Sequence, residues 1–305
     1  IAGKFCEAVK MVDGASVYAV SSKSKERAES FAHKYNIPHF FKSYEEMLSM
    51  PEIDVVYIAT THNYHYDNIM LCLQNKKGVL CEKSMVTNAS HAREVFSFAK
   101  EQGLFIMEAM WSRYLPAVKK AKEWIDSGKI GDIVLSSAVL GFRTKDEPFD
   151  RFLSKELGGG AAFDLSVYNI ELATYLFGTE YESVKTSAVY GETGVDVTNN
   201  ITLNYKNFTV SLLSTLAANL PRSDMYIYGT KGSILLGRLA APTKCTLFTD
   251  DNKPYVFTGE FNNGFQYEIQ DVCDCIKNGK TESEIVPPKV TIKCAEIYDK
   301  LLNLN

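Results

Sequence analysis

Three side chains carry the chemistry this sequence offers: Lys83, Asp164 and Tyr168. Lys83 closes Leu80-Cys81-Glu82-Lys83-Ser84, an apolar run ending in a charged pair, and a lysine at a strand end can act on a substrate oxygen. Asp164 and Tyr168 follow Gly158-Gly159-Gly160, where three glycines would let backbone approach a ligand closely before a helix begins. A spacing of four places both on one helix face. Most of that helix is apolar (Phe163, Val167, Ile170, Leu172, Ala173, Leu176), so an acid and a phenol on it need partners, and Lys83 is a plausible one. Oxidising an alcohol requires a base for the hydroxyl proton while hydride leaves for a nicotinamide. The five histidines (His33, His39, His62, His65, His91) all precede residue 92, so the second half supplies no imidazole. Tyr168 is then the expected base, its pKa (~10 unperturbed) lowered by the Lys83 ammonium and the positive nicotinamide ring. Asp164 would orient Lys83 or bind a neighbouring substrate hydroxyl, and Glu82 would point away as a structural partner. The competing reading is a satisfied buried Asp–Tyr–Lys network without turnover.

A hydride acceptor needs its own site. In dinucleotide folds that prefer NAD, an acidic residue ends the second strand and holds the ribose 2′-hydroxyl. Here that place reads Val20-Ser21-Ser22-Lys23-Ser24-Lys25-Glu26-Arg27. Hydroxyls and cations at a strand tip suit a 2′-phosphate, and cations opening a helix otherwise oppose its dipole. Ser22, Lys23 and Arg27 are therefore assigned to NADP in preference to NAD. The loop Thr60-Thr61-His62-Asn63-Tyr64-His65 follows the hydrophobic run from Asp54, where the nicotinamide side of a dinucleotide would lie. Thr60, Thr61 and His65 are expected at the cofactor, although His65 also suits a helix cap. The chain opens on Ile1-Ala2-Gly3-Lys4-Phe5 in helical register, with Ala2 as the third small residue of a glycine fingerprint. The strand and earlier glycines of that fingerprint are expected upstream of Ile1, because a sheet without its central strand exposes the edges of its neighbours.

The elements that must position these residues follow from periodicity. Strands are expected at residues 16–20, 39–41, 55–59, 79–81 and 104–107, with helices between them. In the helix at 23–35, Ala28, Phe31, Ala32 and Tyr35 recur at i, i+3, i+4 and i+7. In the helix at 88–102, Ala92, Val95, Phe96 and Ala99 share a face, and Ser43 with Glu46 forms a capping box. Such alternation builds an α/β, doubly wound parallel Rossmann domain, placed at 1–112. After Trp111 the rhythm changes to a helix at 115–127, a strand at 133–142 and a second strong helix at 162–177. Strands follow at 183–190, 197–205, 208–216, 225–228 and 233–236, then helices at 265–278 and 290–302. Consecutive strands imply a C-terminal α+β domain, 113–305, with a large open, mainly antiparallel sheet covered by helices on one face. Its other face must be covered, and a second copy of the same sheet is a common solution.

Bulk properties narrow the class. The 305 residues suit two domains, and 46% hydrophobic content suits a well-cored soluble protein. A net charge of −4 with scattered cations gives no case for nucleic acid or an anionic membrane. No apolar run approaches the ~18 residues of a spanning helix. The seven cysteines are odd in number and lack a CxxC, so no metal is expected, and they read as reduced thiols of a cytoplasmic protein.

The Glu82-Lys83 pair, the Ala59-Thr60…His65 loop, the Gly-Gly-Gly…Asp164…Tyr168 segment and Gly229-Thr230-Lys231-Gly232 together resemble the glucose–fructose oxidoreductase/inositol dehydrogenase (Gfo/Idh/MocA) family over almost the whole chain. Tyr168 stands where inositol dehydrogenases carry histidine. With Met107-Glu108-Ala109-Met110-Trp111-Ser112-Arg113, the sequence looks most like the branch of dimeric dihydrodiol dehydrogenases and NADP-linked D-xylose dehydrogenases. The resemblance implies an NADP-dependent oxidoreductase acting on a sugar, cyclic polyol or trans-dihydrodiol, with no metal and a homodimer joined through the sheets. It gives Lys83, Asp164 and Tyr168 the catalytic places, adds Glu82 and Lys83 to the cofactor site, and places His62, His65, Trp111 and Phe142 along the pocket with Phe265 capping it. Serine at 84 replaces the proline usual after the Glu-Lys pair. A catalytically silent dinucleotide-binding sensor is the alternative on this fold; joint retention of Lys83, Asp164 and Tyr168 argues against it.

Overall fold

The computed structural model describes residues 1–145, 151–250 and 253–303. The first third alternates α1 (Ala2–Val9), β1 (Ala19–Ser21), α2 (Lys25–Tyr35), β2 (His39–Phe41), α3 (Tyr44–Leu48), β3 (Val55–Ile58), α4 (His65–Gln74), β4 (Gly78–Glu82), α5 (Ala89–Gln102) and β5 (Ile106–Ala109). All its strand pairs are parallel, in two pieces: β1 with β2, and β3-β4-β5. β4 is buried along its whole length, which explains its unbroken apolar reading. A cavity of about 810 Å³ lies between β1 and β3, lined among others by Ala2, Ser22, Arg27, Tyr44, Thr60 and Asn68.

Local chemistry fixes the helix boundaries. Ser24, Ser43 and Asn88 each accept the backbone N–H three residues on, opening α2, α3 and α5. The capping box differs from expectation in its second leg. Ser43 receives the Glu46 N–H, but its hydroxyl donates to Glu45 rather than being matched by the Glu46 side chain. Gly103 ends α5 in the left-handed region at φ 65°.

The remainder comprises α6 (Pro116–Asp126), β6 (Ile133–Gly141), α7 (Val167–Phe177), β7 (Ser183–Tyr190), β8 (Asp196–Asn204), β9 (Thr209–Thr215), β10 (Asp224–Gly229), β11 (Gly232–Gly237), β12 (Lys244–Thr249), β13 (Tyr255–Thr258), α8 (Phe265–Lys277) and α9 (Pro288–Leu302). The sheet runs β13-β12-β11-β10-β6-β9-β8-β7 and is antiparallel except for β6 with β9. β12 and β13 extend it beyond the five strands after residue 183 that alternation had picked out.

One register row, Ile201–Leu212–Ala138–Met225–Leu236–Cys245, faces the helices and is buried throughout. α6, α7 and α9 pack on that side. The opposite face carries Leu135, Tyr228 and Phe248 in another row, each at least 39% exposed. Such a face is the one the sequence expected to need a cover. Among the described residues, no helix is long and apolar enough to cross a membrane.

Candidate active site

β4 ends at Glu82 and delivers Lys83 to the seam between the β3-β4-β5 sheet and the segment that leads into α7. Across that seam, residues 162–166 form a π-turn that runs into α7. The sequence had suggested one regular helix from 162. The π-turn instead makes room for tertiary hydrogen bonds from the sheet beneath it. Asp196 receives the Ala162 N–H at 2.9 Å, Asn199 donates to Asp196 at 2.7 Å, and Ser166 donates to Asn199 and lies 2.9 Å from Ser214. The protein's own packing requires the glycines before it. Gly158 and Gly160 have φ of 70° and 121°, and a Cβ there would meet His62 at 2.8 Å and Asp196 at 2.4 Å. A Cβ on Gly159 would strike the carbonyls of Arg151 and Phe152.

The three expected side chains meet. Lys83 Nζ lies 3.3 Å from Asp164 Oδ1 and 3.2 Å from the Asp164 carbonyl, and 5.3 Å from the centroid of the Tyr168 ring. The Lys83 and Asp164 side chains are only 12% and 1% exposed, so little water screens the pair. Arg151, which sequence reasoning missed, holds the same carboxylate: NH2 donates to Oδ1 at 2.9 Å and NH1 to Oδ2 at 3.3 Å. It sits in a short 3₁₀ turn with no periodicity to single it out. Burial raises the Asp164 pKa, but Lys83, His62 and Arg151 outweigh it and hold the carboxyl below the ordinary aspartate value. Tyr168 behaves otherwise than the sequence suggested. Burial is the largest influence on its phenol and pushes the pKa up, and the opposing pull of Lys83 does not overcome it. A side-chain hydrogen bond to Trp111 also favours the phenolate.

Glu82 turns away from Asp164, as expected. It accepts from the Tyr57 hydroxyl, and its second oxygen receives the Lys83 N–H at 3.2 Å. Tyr57 in turn stacks on Phe5 of α1 with ring centroids 3.7 Å apart. Burial raises the Glu82 carboxyl, against the pull of Tyr57 and Lys83.

His62 and His65 frame the Lys83 backbone. His62 is 6% exposed; its Nδ1 lies 2.7 Å from the Gly158 carbonyl and its Nε2 3.2 Å from the Lys83 carbonyl. Burial and then Lys83 bring its pKa down to about 4, so the ring is neutral and the shorter contact takes its N–H. His65 is fully buried, with Nδ1 2.9 Å from the Ser84 carbonyl and Nε2 3.1 Å from that of Thr60. Burial likewise lowers its pKa.

The aromatic residues divide into two groups. Trp111 packs on Phe265 at 5.1 Å and edge-on to Phe261 at 6.1 Å. Phe265 is 5% exposed and sits in the core between α1 and α8, backing Trp111. Phe142 stands at the end of β6, 36% exposed, edge-on to Phe152 at 5.2 Å. Phe152 and Phe261 are additions to the sequence reading.

The nucleotide side presents hydroxyls and cations. Ala2, Ser22, Arg27 and Thr60 line the cavity between β1 and β3. Lys23 is exposed, with Nζ 4.2 Å over the Tyr64 ring. Thr61 donates to Asn63 at 2.7 Å, and Thr60 Oγ1 accepts from Asn68 at 3.2 Å. A donor set of serine, threonine, lysine and arginine at strand ends fits a phosphorylated nucleotide.

Comparison with known proteins places these features in a family. A profile described as "Oxidoreductase family, NAD-binding Rossmann fold" matches residues 1–110, and one described as "GFO/IDH/MocA C-terminal domain" matches 118–235. The chain is 37% identical to a trans-1,2-dihydrobenzene-1,2-diol dehydrogenase of Mus musculus, over 93% of this chain and 87% of that protein. It is 32% identical to the Homo sapiens protein of the same name, with the same coverage. Among solved structures it is similar to KijD10, a 3-ketoreductase from Actinomadura kijaniata in complex with NADP and TDP-benzene. There the TM-score is 0.87, at 22% identity over 97% of this chain and 91% of that one. It is also similar to a levoglucosan dehydrogenase in complex with NADH, with TM-score 0.87 and 20% identity over 98% and 92%.

Proposed function

This chain belongs to the GFO/IDH/MocA oxidoreductase family, and on that premise we propose that it is an NADP-dependent dehydrogenase of hydroxyl-bearing rings, with trans-dihydrodiols as first candidate substrates and sugars or cyclic polyols next. The observation that carries the reading is the meeting of Lys83, Asp164 and Tyr168 at one point of the inter-domain seam. The nicotinamide, when bound, supplies the hydride acceptor or donor. Tyr168 holds and moves the proton of the substrate oxygen. Its raised pKa keeps it a phenol at rest, a form suited to giving a proton to a nascent alkoxide in the reductive direction; in the oxidative direction it acts as base only after that proton has left to solvent. Lys83 polarises the same oxygen from its ammonium, and Asp164 fixes that ammonium in place. Trp111 and Phe142 offer flat apolar surfaces for a ring, with Phe265 and Phe152 behind them.

Ser22 and Arg27, which line the cavity with Ala2 and Thr60, and the neighbouring Lys23 support a 2′-phosphate and hence NADP over NAD; Thr61, His65 and Glu82 lie outside that cavity lining and enter the proposal only from the sequence. The exposed apolar row of the eight-stranded sheet supports a homodimer, and sedimentation at micromolar concentration tests it; a monomer would remove that part of the proposal. Seven free cysteines, most of them buried, support a reducing, cytoplasmic setting.

The deciding experiment is NADP and NAD reduction by purified protein against trans-dihydrodiols, aldoses and inositols. Replacing Tyr168 with Phe should cut turnover on the order of 10²–10⁴-fold while NADPH still binds. Unchanged turnover in that variant would remove Tyr168 from the reaction.

A further inference from the structure

Ser84 follows the catalytic lysine, has no exposed surface, and spends its hydroxyl across the seam. Its Oγ lies 3.0 Å from the carbonyl of Phe163, the residue before Asp164. Two contacts therefore run side by side between the same two segments: Lys83 to Asp164 and Ser84 to Phe163. A carbonyl can only accept, so Ser84 donates to it and its remaining lone pairs face Tyr298. The Tyr298 hydroxyl lies 2.8 Å away and donates to Ser84, while Cys294 Sγ donates to Tyr298 at 3.1 Å. The three donors of this relay, Cys294, Tyr298 and Ser84, point the same way, from α9 into the backbone beside Asp164. The next residue is tied to the same helix. Met85 N–H donates to Glu108 at 2.9 Å, and Glu108 accepts from Thr291 at 2.7 Å. Thr291, Cys294 and Tyr298 follow one another at i, i+3 and i+7 along α9, so one face of that helix grips the segment behind Lys83.

We propose that Ser84 is a positioning residue for the reaction, clamped by Tyr298, that fixes the backbone of Lys83 in register with that of Asp164. The proposal rests on the assignment of Lys83 and Asp164 to catalysis. A fully buried hydroxyl with both a donor and an acceptor partner is set by its surroundings and transmits that order to its neighbours. Without it the ammonium of Lys83, on a flexible four-carbon stem, is no longer held at one distance from the carboxylate.

The test combines Ser84→Ala, Tyr298→Phe and the double variant, each checked for folding by circular dichroism and thermal unfolding. With NADPH saturating, Ser84→Ala is expected to lower kcat about tenfold, with the Kd for NADPH within about twofold of wild type. Tyr298→Phe should lower kcat less, and the double variant should match Ser84→Ala because Tyr298 acts through Ser84. Competitive acetylation of Lys83, read by mass spectrometry, needs no turnover and should quicken several-fold in Ser84→Ala. A folded Ser84→Ala protein with wild-type kcat and wild-type Lys83 acetylation overturns the proposal, as do additive effects in the double variant. If the wild type turns over none of the ring substrates, the functional reading has failed and the acetylation ratio alone decides the clamp.

Discussion

Asp196 offers a sharp electrostatic test of how the π-turn is held. Its carboxylate is 2% exposed and accepts from Ala162 N–H and Asn199, both of which favour the charged form. Burial is nevertheless the larger influence, and with the nearby charge of Asp164 it lifts the carboxyl from 3.8 to about 6. A raised acid binds its proton in the folded state where the unfolded chain has already lost it. Stability must therefore fall as pH rises through that window. The shift is about two units, or ~3 kcal/mol at ~1.4 kcal/mol per unit. Asp196→Asn keeps the shape and an acceptor for Ala162 but abolishes the titration. The stability difference between variant and wild type should thus grow in the variant's favour by ~2–3 kcal/mol between about pH 4 and pH 7. Any pH-independent loss from exchanging a carboxylate for an amide only displaces the curve. Other buried acids, Glu171 among them, cancel in the difference because both proteins carry them. Urea unfolding of both proteins across this range measures it. Parallel curves, or a gap that narrows with pH, would refute the reasoning.

Two further outcomes follow from the site. Arg151→Met should destabilise the protein by ~1 kcal/mol at neutral pH, a figure discounted because the guanidinium is 42% exposed. Since Arg151 helps hold Asp164 below the ordinary aspartate value, that loss should shrink as pH falls through the folded-state pKa, and denaturant titrations that show the same loss in acid so strong that Asp164 is protonated in both states would count against the pairing. Replacing Lys23 and Arg27 with Ala should weaken NADP binding about tenfold or more and leave NAD nearly unchanged, as fluorescence titration of both reduced cofactors would reveal; equal losses for the two would detach these cations from the 2′-phosphate.

Much of the site was legible before any coordinates because its parts announce themselves by composition. A charged pair closing an apolar strand, and an acid and a phenol four apart on an apolar helix, are conspicuous in one dimension. Their convergence is what fold topology adds, and the 3.3 Å contact between Lys83 and Asp164 is its outcome. What stayed hidden is of two kinds. Arg151 lies in a 3₁₀ turn without periodicity, so nothing local distinguishes it from any surface arginine. Asp196 sits at the start of β8, and its partner Ala162 is thirty-four residues away in sequence, so no spacing rule could join them. Neither β12 nor β13 alternates: Cys245, Thr246 and Leu247 of β12 are buried in succession, and β13 at the sheet margin is exposed along most of its length.

The same distinction explains the one reversal in the chemistry. From sequence, a lysine near a tyrosine argues for a lowered phenol pKa, because charge proximity is all that spacing can suggest. Desolvation depends on the packing of many residues around Tyr168 and has no local signature. Here it outweighs the ammonium. A resting phenol changes the role rather than removing it. It makes Tyr168 a proton donor first, and it leaves Lys83, anchored by Asp164, as the group that must stabilise negative charge on the substrate oxygen. Keeping that ammonium at a fixed distance then matters more than tuning the tyrosine, and the hydrogen bonds that tie down the segment carrying Lys83, its N–H to Glu82, the Ser84 carbonyl to His65 and the Ser84 hydroxyl to Phe163, fall where that demand is greatest.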